Sequence, residues 1–550
     1  MIYPAFAKAS FSGNIRAEIS DIIINGYEKE YASSLIKLVE CKGNTLYINI
    51  NKENNRRTSY IEKANRFTDE KYFLDIASDN GITVHVTVSG KKSLYRAMQR
   101  INRMIADREF PVGTVEDYPL FEVRGYIEGF YGTPWTHANR MEMLALMSSY
   151  GMNTYYYAPK DDPYHRSKWS ELYPETEIAN LKEIVDFCAD NYVDFAYCIA
   201  PGQSMKYSSE DDFNKLCCKV NQLYKIGVRN FGLLVDDIPE NLYYEEDKAM
   251  FDGEAVNAHI VLSNMLNSYI KSVSPDCSLT VCPLQYHGKG NEYYISKLGK
   301  GIDGDISLFW TGRNICSQEL TVAEAVIFAD STNRKPLYWD NFPVNDAEMY
   351  NEMHLGYLNG REPDLYRYSK GIISNTMQYT MSSKIPLLTV CDYLWNPVEY
   401  SGFESWKKAI EIVFGEETDL IMPFADNLLT SCLKVENSPM LNAALNDTQQ
   451  SFYGGDSDGA MTALSGYISS LGKCCEYLKT VDNPIVSELR PWAEKQFIAY
   501  ELLNVCASAM TDNTAEKKAE IQRILDIYLN HPKVLCDFSL QAFAEGVVAL

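Results

Sequence analysis

The sequence lacks the features that mark membrane and nucleic-acid-binding proteins. No stretch of the 550 residues approaches the 18 or so consecutive apolar residues that a transmembrane helix needs. Lys and Arg number 51 against 74 Asp and Glu, which gives a net charge of −23, and no run of basic residues is present. Such a chain repels polyphosphates and acidic polysaccharides. We therefore expect neither a membrane nor a nucleic acid as a partner.

The N-terminus lacks the charged start and apolar core, about 7 to 15 residues long, of a secretory signal. The 14 cysteines include the adjacent pairs Cys217-Cys218 and Cys474-Cys475. Adjacent pairs in a chain of this length fit reduced, buried thiols better than a disulfide framework. These observations predict a cytoplasmic protein, although a secreted chain whose signal had been removed would look the same.

Metal-ligand motifs are also missing. The seven histidines form no close-spaced pair, which argues against zinc. The acidic stretch 454–459 lacks the full ligand series and the terminal Glu of a calcium loop, so we expect a surface turn there. We predict no metal and no cofactor, while magnesium held by one or two carboxylates stays open.

The ends of the chain have the patterns of two different small domains. Residues 1–118 alternate polar and apolar side chains over 45–50 and 82–88, as half-buried strands do, and then show a helical pattern near 91–106. We predict a small α+β domain there. Residues 402–550 show amphipathic helical patterns instead, which predict a helical bundle domain. These patterns span residues 405–415, 419–433, 458–480, 484–510 and 514–529.

The middle of the chain, residues 119–401, has the rhythm of a (β/α)₈ barrel. Eight short runs rich in β-branched and aromatic residues begin near 123, 154, 194, 230, 278, 305, 335 and 371, with helical patterns in most gaps. A (β/α)₈ barrel typically takes ~250 residues, whereas a doubly wound sheet usually stops sooner. Polar and aromatic residues cluster where the runs end. Because barrel sites are built from the loops at that end of the strands, these clusters predict a pocket there.

Two adjacent carboxylates, Asp236 and Asp237, end one of these apolar runs. Neighbouring strand residues point to opposite faces, but both could reach one pocket where the strand turns into a loop. On this stretch alone, a helix-capping or turn pair is an equally good interpretation. Two close carboxylates push their pKa values apart, which suits glycoside cleavage. Neighbours in sequence cannot easily flank a sugar ring from opposite sides, which favours a nucleophile supplied by the substrate.

Three ordered motifs resemble glycoside hydrolase family 84, the β-N-acetylglucosaminidases called O-GlcNAcases. They are RGYIEGFYGTPW at 124–135, YAPKDD at 157–162 and LVDDI at 234–238, and the resemblance covers about 120–400. It implies retaining exo-hydrolysis of terminal β-linked GlcNAc, in which the 2-acetamido oxygen of the substrate attacks the anomeric carbon and forms an oxazoline. Asp236 would orient the acetamido N–H, and Asp237 would be the general acid and later the general base.

The resemblance also implies a set of residues that bind the sugar. These are Gly129, Tyr131, Lys160, Cys282, Tyr286, Thr311, Trp339, Asn341, Asp346 and Asn375. Gly129 and Lys160 would contact sugar hydroxyls, and Trp339 would wall the acetamido pocket. Asn341 would bond near the leaving oxygen, and Asp346 would hold the 4- and 6-hydroxyls.

Two questions stay open in the sequence. Tyr286 matches the tyrosine that bonds the acetamido oxygen, although a packed aromatic at a strand end is the alternative. The loops at 286–291 and 342–345 depart from the family pattern where they would set what lies beyond the first sugar. The expected partner is a glycoprotein or glycoconjugate that carries β-GlcNAc. The alternatives are a hexosaminidase acting on glycan or hyaluronan ends, and a catalytically silent sugar-binding protein, which would lack one aspartate of the pair.

Overall fold

The computed structural model of the protein describes residues 3–37, 42–53, 69–78, 81–536 and 538–550. The chain forms an N-terminal sheet, a closed barrel of eight parallel strands and a C-terminal helical region, which confirms the predicted fold class. Among the described residues, no helix is both long and apolar enough to cross a membrane.

The N-terminal sheet has six strands in the order β1-β6-β4-β5-β3-β2. The strands are β1 (Lys8–Arg16), β2 (Ile19–Gly26), β3 (Asn44–Lys52), β4 (Tyr72–Ala77), β5 (Ile82–Val88) and β6 (Glu109–Asp117), and the helices are α1 (Lys29–Leu35) and α2 (Lys91–Asp107). Buried and exposed side chains alternate along β3 and β5, as their sequences predicted, so one face of the sheet is apolar and packs with α2 in a single core.

The barrel closes in the order β10-β11-β12-β13-β14-β7-β8-β9, with parallel neighbours throughout. Its strands are β7 (Val123–Glu128), β8 (Thr154–Tyr157), β9 (Asp194–Ile199), β10 (Asn230–Leu234), β11 (Ser278–Cys282), β12 (Ser307–Trp310), β13 (Leu337–Asp340) and β14 (Gly371–Asn375). Six begin at the predicted residue, and β12 and β13 begin two residues later. Side chains of β8 and β12–β14 are buried on both faces, which explains the nearly continuous apolar runs in the sequence.

Helices surround the barrel. They are α3 (His137–Ser149), α4 (Glu175–Asp190), α5 (Glu210–Lys225), α6 (Glu245–Met250), α7 (Ala255–Val273), α8 (Tyr293–Gly301), α9 (Val322–Thr332), α10 (Leu365–Tyr368) and α11 (Thr380–Trp395). One thiol prediction is wrong here. Cys217 is buried on α5, but Cys218 is exposed, because consecutive residues of a helix face different directions.

The C-terminal region is helical, as predicted, but its helices differ from the patterns in detail. They are α12 (Gly402–Phe414), α13 (Thr418–Asp426), α14 (Pro439–Tyr453), α15 (Ser457–Thr480), α16 (Pro484–Thr511), α17 (Ala515–Asn530) and α18 (Ser539–Ala549). The pattern at 419–433 overruns α13, because the chain then forms a loop whose Leu428 carbonyl accepts a hydrogen bond from the backbone of Leu355 in the barrel. The sequence patterns missed α14 and α18. The turn predicted at 454–459 covers only 454–456, and the Asp456 side chain caps α15.

A buried ion cluster joins the N-terminal sheet to the barrel. Glu70 accepts hydrogen bonds from Arg96 Nε at 2.8 Å and from Arg124 Nη2 at 2.8 and 3.0 Å, and all three side chains are buried. Burial by itself raises the pKa of Glu70, but the two arginines outweigh burial and lower the pKa to about 2. The Glu70 carboxylate is therefore held in its ionised form in the folded protein.

Candidate active site

A pocket of about 240 Å³ opens at the C-terminal ends of the barrel strands. Ligand sites for drug-sized molecules measure about 300–1,000 Å³, so this pocket suits one small ligand. The structure brings all twelve residues predicted for the site together in its lining. These are Gly129, Tyr131, Lys160, Asp236, Asp237, Cys282, Tyr286, Thr311, Trp339, Asn341, Asp346 and Asn375.

The two neighbouring carboxylates both reach the pocket because the backbone turns between them. Strand β10 ends at Leu234, and Asp237 has a φ of +51°, in the left-handed region. In an extended chain the two side chains would point to opposite faces. A left-handed non-glycine residue costs about 1–3 kcal/mol, and such residues cluster at functional sites. The next helix, α6, begins only at Glu245, so the pair caps no helix and the capping interpretation fails.

Lys160 lies between the two carboxylates. Its Nζ is 3.3 Å from Asp236 Oδ2 and 3.7 Å from Asp237 Oδ2, and its side chain is almost fully buried. Burial by itself lowers the pKa of Lys160, but Asp236, Tyr131 and Asp237 outweigh burial and raise the pKa above its usual range. The ammonium group thus occupies the place that a cation shared by the pair would take. Within the described ranges, no three His, Cys, Asp or Glu side chains are grouped to hold a metal.

Two tyrosine hydroxyls donate hydrogen bonds to the Asp237 carboxylate. Tyr131 donates to Asp237 Oδ2 at 2.7 Å, and Tyr286 donates to Asp237 Oδ1 at 3.4 Å. Burial, and then Asp237 and Asp236, raise the pKa of Tyr286, and burial also raises the pKa of Tyr131. Both hydroxyls therefore stay neutral donors near pH 7. Tyr286 faces the pocket and is not simply packed in the core.

Amide groups and an indole form the opposite wall. Trp339 Nε1 and Asn375 Nδ2 each donate to Asn341 Oδ1 at 2.9 Å, and Asn341 Nδ2 donates to the Ile315 carbonyl at 2.9 Å. These bonds fix both amides and leave Asn375 Oδ1 buried with no hydrogen-bond partner among the described residues. An unsatisfied buried acceptor costs about 1–3 kcal/mol, so this oxygen is suited to accept from a ligand hydroxyl or N–H.

Gly129 and Asp346 shape the end of the pocket near Trp339. A β-carbon built on Gly129 would lie 2.6 Å from the Trp339 ring and 3.1 Å from Asn375 Oδ1, so glycine is required for space. Asp346 Oδ2 accepts from the backbone N–H of Tyr131 at 2.7 Å. Burial raises the pKa of Asp346, although this hydrogen bond and Lys160 act against it. No hydrogen bond from another described residue reaches its second oxygen, Oδ1.

The remaining two predicted residues have passive positions. Cys282 ends β11, and burial raises the pKa of its thiol well above the usual value, so it is an unreactive wall. The Thr311 hydroxyl donates to the Asn314 carbonyl at 2.7 Å, and its backbone N–H donates to the Tyr286 carbonyl at 2.8 Å. Thr311 therefore holds the Tyr286 loop in addition to lining the pocket.

Several residues of the site were not predicted. Apolar and small side chains complete the lining: Ile315, Cys316, Val344, Ala347 and Met349. Arg166 donates to the Tyr131 hydroxyl at 3.1 Å. These five residues lie in loops or, for Ala347 and Met349, in a three-residue 3₁₀ turn, and no periodicity in the sequence marks them. Arg166 follows the YAPKDD motif in the same loop as Lys160, which was the available signal for it.

Comparisons with known proteins agree with this geometry. A family model described as β-N-acetylglucosaminidase matches residues 124–426. Protein O-GlcNAcase of Rattus norvegicus and that of Mus musculus are each 29% identical over 320 residues, which cover 57% of this chain and 33% of theirs. The chain thus aligns with about a third of the length of these curated relatives.

Solved structures with this architecture include a Thermobaculum terrenum O-GlcNAc hydrolase mutant. It is 29% identical with a TM-score of 0.74, over 78% of this chain and 95% of that one. The structure titled CpGH84B is 26% identical with a TM-score of 0.83, over the whole of both chains. The structure titled CpGH84D, at 21% identity and a TM-score of 0.79, shares the fold.

Proposed function

This chain belongs to the β-N-acetylglucosaminidase family of glycoside hydrolase family 84, and from that premise we propose that it is a retaining exo-β-N-acetylglucosaminidase. Its substrate is terminal β-linked GlcNAc of the O-GlcNAc type, carried by a glycoprotein or another glycoconjugate. The observation that carries the proposal is the turn at Asp237, which aims two consecutive carboxylates into one small pocket.

Substrate assistance follows from the placement of the pair. Both carboxylates leave the end of one strand, a placement that disfavours opposite faces of a sugar ring with one carboxylate as nucleophile and the other as acid. The 2-acetamido oxygen then attacks the anomeric carbon. Asp236 Oδ2 is paired with Lys160, which leaves Oδ1 to accept the acetamido N–H and to stabilise the positive charge of the developing oxazoline.

Different exposures support different roles for the two carboxylates. The Asp236 side chain is 7% exposed and that of Asp237 is 33% exposed. The leaving group departs, and water enters, through the open side of the pocket. Asp237 is therefore the general acid that protonates the leaving oxygen and the base that later activates water, which contributes typically ~10²–10⁴ in rate.

Polar and aromatic groups of the pocket lining bind the sugar. Asn375 Oδ1 and the free oxygen of Asp346 accept from hydroxyls, and the Lys160 ammonium donates to another. Trp339 covers the acetamido methyl, and Tyr286 donates to the acetamido oxygen. A pocket of about 240 Å³ holds one sugar, which makes the enzyme act on chain ends.

The test compares three substrates: an aryl β-GlcNAc, an O-GlcNAc peptide and a chitobiose end. We expect hydrolysis of the first two, and no hydrolysis of an aryl β-glucoside, which lacks the acetamido group. Asp236→Asn, which should slow all of these substrates alike, is the matched low-activity control. If the enzyme cleaves none of the three substrates, the proposal is contradicted. A higher kcat/KM for the chitobiose end than for the peptide would instead favour the alternative, a hexosaminidase acting on glycan ends.

A further inference from the structure

A chain of four side chains connects a neighbouring loop to Asp237. Arg166 Nη1 donates to the Tyr131 hydroxyl at 3.1 Å, and this hydroxyl donates to Asp237 Oδ2 at 2.7 Å. The guanidinium carbon also lies 5.6 Å from the centre of the Tyr131 ring. Gln203, in the loop after β9, faces the guanidinium. With its amide oxygen assigned to the side that faces Arg166, as the donors there require, it accepts from Arg166 Nη2 at 2.9 Å and from Nε at 3.3 Å.

We propose that Arg166, held by Gln203, is a positioning residue that fixes the direction of the Tyr131 hydroxyl and so makes Asp237 Oδ1 the oxygen that carries the catalytic proton. The inference rests on the proposed function, in which Asp237 is the general acid. Arg166 does not itself touch the sugar. It acts through Tyr131.

Hydrogen counting supports the direction of the chain. Arginine has donors and no acceptor, and a tyrosine hydroxyl has a single hydrogen. Arg166 therefore approaches the Tyr131 oxygen as a donor, which leaves the Tyr131 hydrogen for Asp237 Oδ2. In the reversed arrangement, a protonated Asp237 would donate to Tyr131, and the Tyr131 hydrogen would lose this carboxylate acceptor. The reversal therefore gives up one hydrogen bond that a proton on Oδ1 would keep, and it is unfavourable.

The two oxygens of Asp237 consequently have unequal surroundings. Oδ2 accepts from Tyr131 at 2.7 Å and lies 3.7 Å from the Lys160 ammonium. Oδ1 has only the Tyr286 hydroxyl, at 3.4 Å, as its hydrogen-bond donor among the described residues. A proton on Oδ2 would displace the Tyr131 donor and face the ammonium group, so the neutral acid carries its proton on Oδ1. When Tyr286 turns to the acetamido oxygen, Oδ1 is free to face the leaving oxygen.

The test measures kcat/KM for Arg166→Gln with an activated aryl β-GlcNAc and an alkyl β-GlcNAc. Only the alkyl substrate needs full protonation of its leaving oxygen. We expect a loss of about tenfold for the alkyl substrate and less than about threefold for the aryl substrate. Arg166→Lys, which keeps a cationic donor, should lose less on the alkyl substrate than Arg166→Gln. Lys168→Gln removes a charge from the same loop without touching the pocket and should change neither rate.

A double-mutant cycle separates positioning from general support of the fold. In a Tyr131→Phe background, Arg166→Gln should cause no further loss, because its effect passes through the missing hydroxyl. Additive losses, or equal losses for both substrates, would overturn the inference. If Arg166→Gln does not fold, Gln203→Leu should give a smaller loss that is again larger for the alkyl substrate, and equal losses for both substrates there would also overturn it. A wild-type chain that cleaves neither substrate would contradict the proposed function itself.

Discussion

Replacing Gly129 by alanine places a methyl group against the wall of the pocket. The added carbon would lie 2.6 Å from the Trp339 ring, and ordinary van der Waals contact begins near 3.4 Å. The indole must therefore move by nearly 1 Å, or the strand end must retreat. A misplacement of about 1 Å at a reacting centre can cost ~10²-fold in rate, and overpacking costs about 1–3 kcal/mol of stability. We expect kcat/KM for an aryl β-GlcNAc to fall about 100-fold.

The assay is the initial rate of aryl β-GlcNAc hydrolysis over a range of substrate concentrations, together with the thermal unfolding midpoint. Gly304→Ala is the matched control, because a β-carbon there meets no atom within 4 Å. That variant should keep the wild-type kcat/KM. A Gly129→Ala enzyme with wild-type kcat/KM would refute the reasoning that Trp339 and the strand end close tightly around one sugar.

Three further predictions concern the roles of Asp236 and Asp237, the lack of a metal requirement, and the buried ion cluster around Glu70. Asp237→Asn should impair alkyl substrates far more than activated aryl substrates, because only the leaving oxygen of an alkyl substrate needs a proton. Asp236→Asn should slow both kinds of substrate alike. The reverse pattern would exchange the roles of the two aspartates. A chelator should leave kcat/KM unchanged, since the Lys160 ammonium contacts both carboxylates, and a loss rescued by magnesium would contradict this. Glu70, whose pKa falls from 4.5 to about 2 on folding, contributes stability that is complete above about pH 4.5 and is lost as the pH falls toward 2. Glu70→Gln should therefore lower the free energy of unfolding by about 3–5 kcal/mol at pH 7 and make that free energy fall less steeply between pH 4.5 and 2. Unfolding curves at several pH values measure this, and curves that match those of the wild type would contradict the prediction.

The barrel could be predicted from the sequence because its strands are buried on both faces. Such strands appear as short apolar runs, and six of the eight begin at the predicted residue. The helix α14 was missed because only three of its fifteen side chains are fully buried, which leaves a weak apolar stripe. The end of α13 was placed too late, because the apolar residues of the following loop pack on the barrel and continue the helical pattern.

Site residues that stand in recognisable motifs could be predicted from the sequence, whereas those that depend on contacts between separate loops could not. The residues that line the pocket from strand ends, such as Asp236 and Trp339, stand in motifs that resemble a family. The turn at Asp237 has no signal in its own sequence, because a positive φ at aspartate is only moderately favoured. Arg166 and Gln203 come from different loops, and their contact depends on the distance between two strand ends.

The central claim is that the sugar supplies its own nucleophile, and a series of aryl β-GlcNAc substrates with increasingly fluorinated N-acetyl groups tests it most directly. Fluorine withdraws electrons from the carbonyl oxygen that would attack the anomeric carbon. We predict that kcat/KM falls steeply with each added fluorine, and that a thiazoline analogue of the intermediate inhibits strongly. A shallow dependence on fluorine, together with a covalent glycosyl ester trapped on an Asp or Glu side chain, would contradict the account.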